Sequence, residues 1–156
     1  MAPAIFAVDS DPTLAGFRRE VIEHRDVGRV RVELRRIEGA GSASASSLAT
    51  AFVETLGLSP PRAWTELRNE EALEAVTRVL QMDLAYKAPV MAVDVANGLA
   101  RRFLAYFGEA AVFLTNGSLA LTSTGAWSAL TDATFDAGVI GVSSSRVGML
   151  WVEDED

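Results

Sequence analysis

The chain has 156 residues, 49% of them hydrophobic and 22% charged, which is enough to bury one core and is typical of an ordinary globular protein. It contains no cysteine and a single histidine, His24, which excludes disulfides, iron–sulfur clusters, cysteine-ligated zinc and a two-histidine metal site within one chain. The net charge of −7 disfavours nucleic acid as a partner, because an acidic field repels phosphate.

Periodicity in the first part of the chain predicts alternating strands and helices. The apolar run AIFAVD at 4–9 is typical of a short strand, and SDP at 10–12 marks a helix start with proline at its first position. The segment RVRVELR at 29–35 alternates apolar and charged residues, which is the period of a strand with one wet face. After a small-residue loop at 39–46, apolar residues four apart predict a helix from about Ser47.

The middle of the chain predicts two long helices. After a proline pair, a single turn of helix is predicted around Trp64. A helix is predicted over 70–87, with acids in its first turn and cations toward its end, as the helix dipole favours. Pro89 then opens a fourth helix over about 90–107.

The last third is rich in strand signals. Two apolar runs flank Asn116-Gly117, which is a strong hairpin signal, and VIGV and RVGMLWV, joined by three serines at 143–145, predict a second hairpin. The segment 125–138 is ambiguous and fits a short strand followed by a turn. We therefore predict a single α+β domain over 1–156, with a mostly antiparallel sheet that includes two C-terminal hairpins and about four helices packed on one face.

The excess negative charge lies in the last third. Residues 1–102 contain 13 basic and 14 acidic side chains, so the totals of 14 and 21 leave 1 basic and 7 acidic residues after them. The chain ends in four consecutive acids directly after a strand-like run. Three interpretations stay open: a solvated tail, an interface patch for a basic partner, or a divalent-cation site that includes Asp132 and Asp136, although the spacing of a calcium loop is absent.

Two tryptophans in the same third, Trp127 and Trp151, fit either core packing or the aromatic anchors that are enriched at protein interfaces. Other motifs are weaker: GAG at 39–41 fits a flexible loop better than a phosphate loop, His24 fits a structural or surface role, and the arginines at 29–36 fit a solvated strand face. The predicted partner-contact set is Trp127, Asp132, Asp136, Trp151, Glu153, Asp154 and Glu155.

The sequence contains no catalytic or cofactor motif, and no cofactor is predicted. It also lacks a basic N-terminal signal and an apolar run of about 20 residues, so we expect a cytoplasmic protein. A small, acidic, cysteine-free α+β chain resembles bacterial immunity proteins at the level of class, which assigns no residues. The first hypothesis is therefore an inhibitor that neutralises a basic, toxin-like enzyme by direct binding.

Two alternatives to an inhibitor remain. The chain is an enzyme if Asp132 and Asp136 converge with other carboxylates in a pocket, with or without a metal ion. It is a self-associating structural protein if edge strands of the terminal hairpin pair between chains.

Overall fold

The computed structural model describes residues 4–118, 120–122 and 126–155. Its elements, in chain order, are β1 (Ile5–Val8), α1 (Leu14–His24), β2 (Arg29–Glu38), α2 (Ala45–Thr55), β3 (Thr65–Leu67), α3 (Asn69–Gln81), α4 (Val93–Ala105), β4 (Val112–Thr115), β5 (Phe135–Val142) and β6 (Arg146–Asp154). The strands form one antiparallel sheet in the order β1-β2-β6-β5-β4-β3. The predicted α+β class is confirmed. Within the described part of the chain, no helix has the length and apolar character needed to cross a bilayer.

The hairpin β5–β6 forms the centre of the sheet. Val142 lies opposite Val147, so the three serines make the connecting turn, as the sequence predicts. Strand β6 pairs with β2 on its other side, and β5 pairs with β4. The terminal hairpin therefore has no free edge, and the expectation that its edges pair between chains is wrong.

The hairpin predicted at Asn116-Gly117 is wrong. Strand β4 pairs with β3 on one side and β5 on the other, so it has no free edge for a hairpin partner. The backbone N–H groups of Leu121 and Thr122 bond to the Ser118 carbonyl instead. Asn116 is buried and uses its side-chain amide to hold the 128–136 segment. Gly117 bridges to Trp127 so closely that a Cβ atom would lie 2.3 Å from a backbone oxygen.

Several helix predictions also differ from the structure, and α4 begins at Val93 instead of directly after Pro89. The turn around Trp64 leads into strand β3 instead of a helix, because this segment pairs with β4. Helix α3 ends at Gln81 and does not reach Lys87. The Asp83 side chain accepts the backbone N–H groups of Ala85 and Tyr86, which turns the chain back on itself.

Helices cover both faces of the sheet, and the expectation of helices on one face is wrong. Along β2, the side chains of Val32 and Leu34 enter a core with α1, α3 and α4, which we call the three-helix face. On the opposite side, Met149 and Trp151 of β6 pack with α2, which defines the α2 face. The predicted alternation of side chains along β2 is confirmed. The second face of the sheet also carries apolar side chains, and the apolar side of α2 covers them.

Candidate functional site

A buried ion pair on the three-helix face holds the acidic end of the chain. Asp154, the last residue of β6, accepts two hydrogen bonds from Arg25, at 2.9 and 2.7 Å, and one from the Leu84 backbone N–H at 2.7 Å. The side chains of Arg25 and Asp154 are 0% and 1% exposed. The end of β6 is therefore fixed to the residue that follows α1.

Every N–H group of the Arg25 guanidinium has an acceptor. Besides the two bonds to Asp154, the carbonyls of Val27, Val79 and Met82 each accept one. Gly28 sits against this pair with φ of +67°, and a Cβ there would lie 2.1 Å from an Asp154 carboxylate oxygen. A buried charge pair is tolerated when its remaining hydrogen-bonding capacity is filled, as it is here.

A second arginine–acid cluster lies at the other end of β6, on the same face. Arg146 donates from Nε to Asp9 at 2.7 Å, from Nη2 to Asp9 and Asp11 at 3.1 and 3.2 Å, and from Nη1 to the Tyr106 carbonyl at 3.0 Å. Asp9 and Asp11 precede α1 and Arg25 follows it. Both ends of α1 are thus tied to the two ends of β6.

The two acids beside Arg146 have lowered pKa values. For Asp9, burial pushes the pKa upward, but the hydrogen bond and charge of Arg146 and the Asp11 backbone N–H outweigh it, so the pKa lies below its usual value. For Asp11, hydrogen bonds from the Thr13 hydroxyl and backbone N–H are the main cause of a lowered pKa. The pKa of Arg146 is raised, chiefly by its hydrogen bond to Asp9.

On the α2 face, the acidic end behaves differently. Glu153 lies opposite Arg29 on β2 and bonds to Arg31 at 2.9 Å, while its contact with Arg29 is longer, at 3.8 Å. The Arg29 side chain is 68% exposed. Glu155 lies just beyond the strand, is exposed, and accepts a 2.7 Å bond from the Thr134 hydroxyl.

Asp136 on β5 is fully buried and positions the neighbouring loop. Its carboxylate accepts the backbone N–H groups of Leu130 and Thr131, the Thr131 hydroxyl and the Asn116 amide. Because Leu130 and Thr131 directly precede Asp132, the carboxylate fixes the backbone that leads into Asp132, whose own side chain is exposed.

Asp132, Glu153 and Glu155 line a groove of about 630 Å³, which we call the terminal groove. The strand side of the groove consists of Arg29, Arg31 and Glu153, and the opposite side consists of the segments 57–59 and 129–133 together with Glu155. Its charged lining residues are two arginines and three acids, the third being Asp132. The groove is therefore polar and open, and it carries a small net negative charge.

The structure divides the predicted partner-contact set. Asp132, Glu153 and Glu155 come together at the terminal groove. Asp136, Trp151 and Asp154 are buried, so the prediction that a partner contacts these three is wrong for this structure. Trp127 is half-buried on the three-helix face, where it stacks on Phe135 with ring centroids 5.5 Å apart, and it is not part of the groove.

Trp151 fills the core between the sheet and α2. Its side chain is 0% exposed, and its indole N–H has no acceptor among the residues that the structure describes. The burial of Asp154 does follow from the sequence pattern: in an alternating strand it points the same way as Leu150 and Val152, into the core. Arg25 and Arg146 carried no such signal, since their partners are distant in sequence.

Within the described ranges, no group of three or more histidine, aspartate or glutamate side chains is arranged to hold a metal ion. Asp132 and Asp136, on which the enzyme alternative depended, do not converge, because one is exposed and the other is enclosed by the loop that it holds. Comparison with known proteins gives no match: no protein-family model, curated protein or solved structure is significantly similar to the chain.

Proposed function

We propose that this chain is a cytoplasmic binding protein of the immunity type, which inhibits a basic, toxin-like enzyme by direct contact at the terminal groove. The observation that carries the proposal is the position of the acids that stay accessible at the end of the chain. Asp132 and Glu155 are exposed and line the same groove, and Glu153 lines it beside the strand arginines.

Charge complementarity is the expected mode of recognition. The exposed carboxylates attract cationic side chains of a partner, which speeds encounter, and the groove gives those side chains a concave surface to enter. Arg29 makes only a long contact with Glu153 and is largely exposed, so a partner cation can replace it beside that carboxylate. Arg31 is held more closely and keeps the Glu153 side chain in place.

The test compares capture by three forms of the tagged chain from the organism that encodes it: wild type, D132N/E155Q, and the control E23Q/E109Q. Both variants remove two exposed acids, but the control sites, one on α1 and one just after α4, are outside the groove. We expect wild type and the control to capture the same basic protein, and D132N/E155Q to associate with it about tenfold more slowly at low salt.

The captured protein must also lose its enzymatic activity when one equivalent of the chain is added. Equal association by D132N/E155Q and wild type would remove the groove from the proposal. Capture without inhibition would remove the inhibitory function and leave only a binding protein.

A further inference from the structure

The ladder between β2 and β6 ends at the terminal groove. Arg29 and Glu153 are the last residues that pair across these two strands, and both line the strand side of the groove. Past this pair the two segments continue as Gly28 and Asp154, which the β2–β6 register does not include. Contacts outside the ladder therefore decide how the two segments lie beside each other at the groove.

Arg25 supplies such a contact from the opposite face of the sheet. Its Nη1 atom donates to the Val27 carbonyl and to Asp154 Oδ1, and its Nη2 atom donates to Asp154 Oδ2. Val27 lies two residues before Arg29, and Asp154 directly follows Glu153. One buried guanidinium thus holds both segments that lead away from the last pair of the ladder.

Gly28 brings these two segments into direct contact. A Cβ atom at this position would overlap the Asp154 carboxylate and the Glu153 carbonyl. The Gly28 backbone has φ of +67°, a left-handed conformation that glycine adopts without strain. We call this unit the terminal clamp; it consists of Arg25, Val27, Gly28 and Asp154.

We propose that Arg25 is a positioning residue for the terminal groove, an inference that rests on the proposed function of that groove. Successive side chains of β6 point to opposite faces. The bond that fixes Asp154 in the core therefore also sets the direction of Glu153 toward the groove and the place of Glu155 just beyond it. The clamp acts without contacting the partner, because it holds the Glu153 carboxylate where Arg31 donates to it at 2.9 Å.

The clamp depends on the shape of the arginine side chain. A guanidinium carries five N–H donors in one plane, and in Arg25 two of them reach the Asp154 carboxylate while three reach backbone carbonyls. A lysine ammonium carries three donors on one nitrogen atom. R25K therefore keeps the positive charge beside Asp154 but cannot hold both segments of the clamp.

Two glycine variants test the clamp without removing a charge. Gly28 and Gly39 flank β2, and both are left-handed, with φ of +67° and +71°. A Cβ at Gly39 meets no atom within 4 Å, so G28A and G39A carry similar backbone strain, but only G28A pushes the clamp apart. NMR follows the Nε–H proton of Arg31, whose exchange with water is slowed by its bond to Glu153. We expect this exchange to be about tenfold faster in G28A than in wild type or G39A.

Backbone amide exchange at Leu150 separates positioning from general stability, because this buried residue lies in the middle of β6 between β2 and β5. Exchange that accelerates in G28A by the same factor at Leu150 and at Arg31 would reduce the clamp to a general stabiliser and overturn the positioning role. Equal Arg31 exchange in G28A and G39A would overturn it as well. R25K repeats the test without backbone strain, and unchanged Arg31 exchange in R25K overturns the role even where G28A does not fold.

Binding to the basic protein that wild type captures connects the clamp to function. R25K and G28A keep every carboxylate of the groove, yet we expect both to bind that protein about tenfold more weakly than G39A does. Unchanged binding by both variants would overturn the connection. If wild type captures no basic protein, the proposed function fails, while the exchange of the Arg31 proton alone decides whether the clamp positions the groove.

Discussion

The two faces of strand β6 use charge in different ways. On the three-helix face, a charged residue stands at each end of the strand, Arg146 and Asp154, and each is paired with acids or an arginine at the ends of α1. On the α2 face, Glu153 is shared by two arginines beside an open groove. Glu153 and Asp154 are adjacent in sequence, yet Glu153 lines the terminal groove and Asp154 is buried in the interior.

Strand geometry explains the difference. Successive side chains point to opposite faces, so a run of acids at a strand end is divided between the two environments. An acid on the covered face must find a partner, because an unpaired buried charge costs several kcal/mol or more. Arg25 supplies that partner. On the open face, Glu153 pairs with surface arginines, and Glu155 beyond the strand is exposed.

The largest effect is expected from removal of the buried arginine. R25A leaves the Asp154 carboxylate and three backbone carbonyls without their donor, and it should lower the free energy of unfolding by about 3–5 kcal/mol in urea denaturation. R29A is the matched control, since that side chain is 68% exposed, and it should cost less than about 1 kcal/mol. If both variants unfold at the same urea concentration, the buried pair does not stabilise the fold.

A smaller effect is expected at the other end of the same face, and it depends on pH. The pKa of Asp9 is lower in the folded chain than its usual value of about 3.9, so the unfolded chain binds more protons in acid. Its contribution to stability is complete above about pH 4 and is lost as pH falls through the folded pKa. Thermal unfolding from pH 7 to pH 2 should show D9N less stable than wild type at neutral pH but less sensitive to acid. Parallel curves for the two proteins would contradict this account of the Arg146 cluster.

Much of the fold could be predicted because local patterns were strong. The alternation in β2 and the serine-linked terminal hairpin predicted strands that the structure contains. The hairpin at Asn116-Gly117 was wrong because the signal is local, whereas β4 finds better partners in β3 and β5, and the Asn116 side chain is used inside the protein. Likewise, the stop of α3 at Gln81 depends on a side-chain turn at Asp83 that periodicity does not reveal.

The site could be predicted only in part. Charge asymmetry drew attention to the end of the chain, and three of the seven predicted contact residues line the terminal groove. That a partner binds there stays a prediction. The arginines that neutralise the acids lie far earlier in the sequence, 122 positions for Arg31–Glu153 and 129 for Arg25–Asp154, and no local pattern links such residues. The edge strand β1 was visible as an apolar run, but its exposure became known only from the order of strands.

The most direct test of the division between the two faces compares D154N and E155Q in the same urea denaturation experiment. The two changes are chemically equivalent and affect adjacent residues, so only the surroundings of each carboxylate differ. We predict that D154N lowers the free energy of unfolding by about 3 kcal/mol, because it removes the charge that pairs with buried Arg25, and that E155Q changes it by less than about 0.5 kcal/mol. Equal losses for the two variants, or a larger loss for E155Q, would contradict the account.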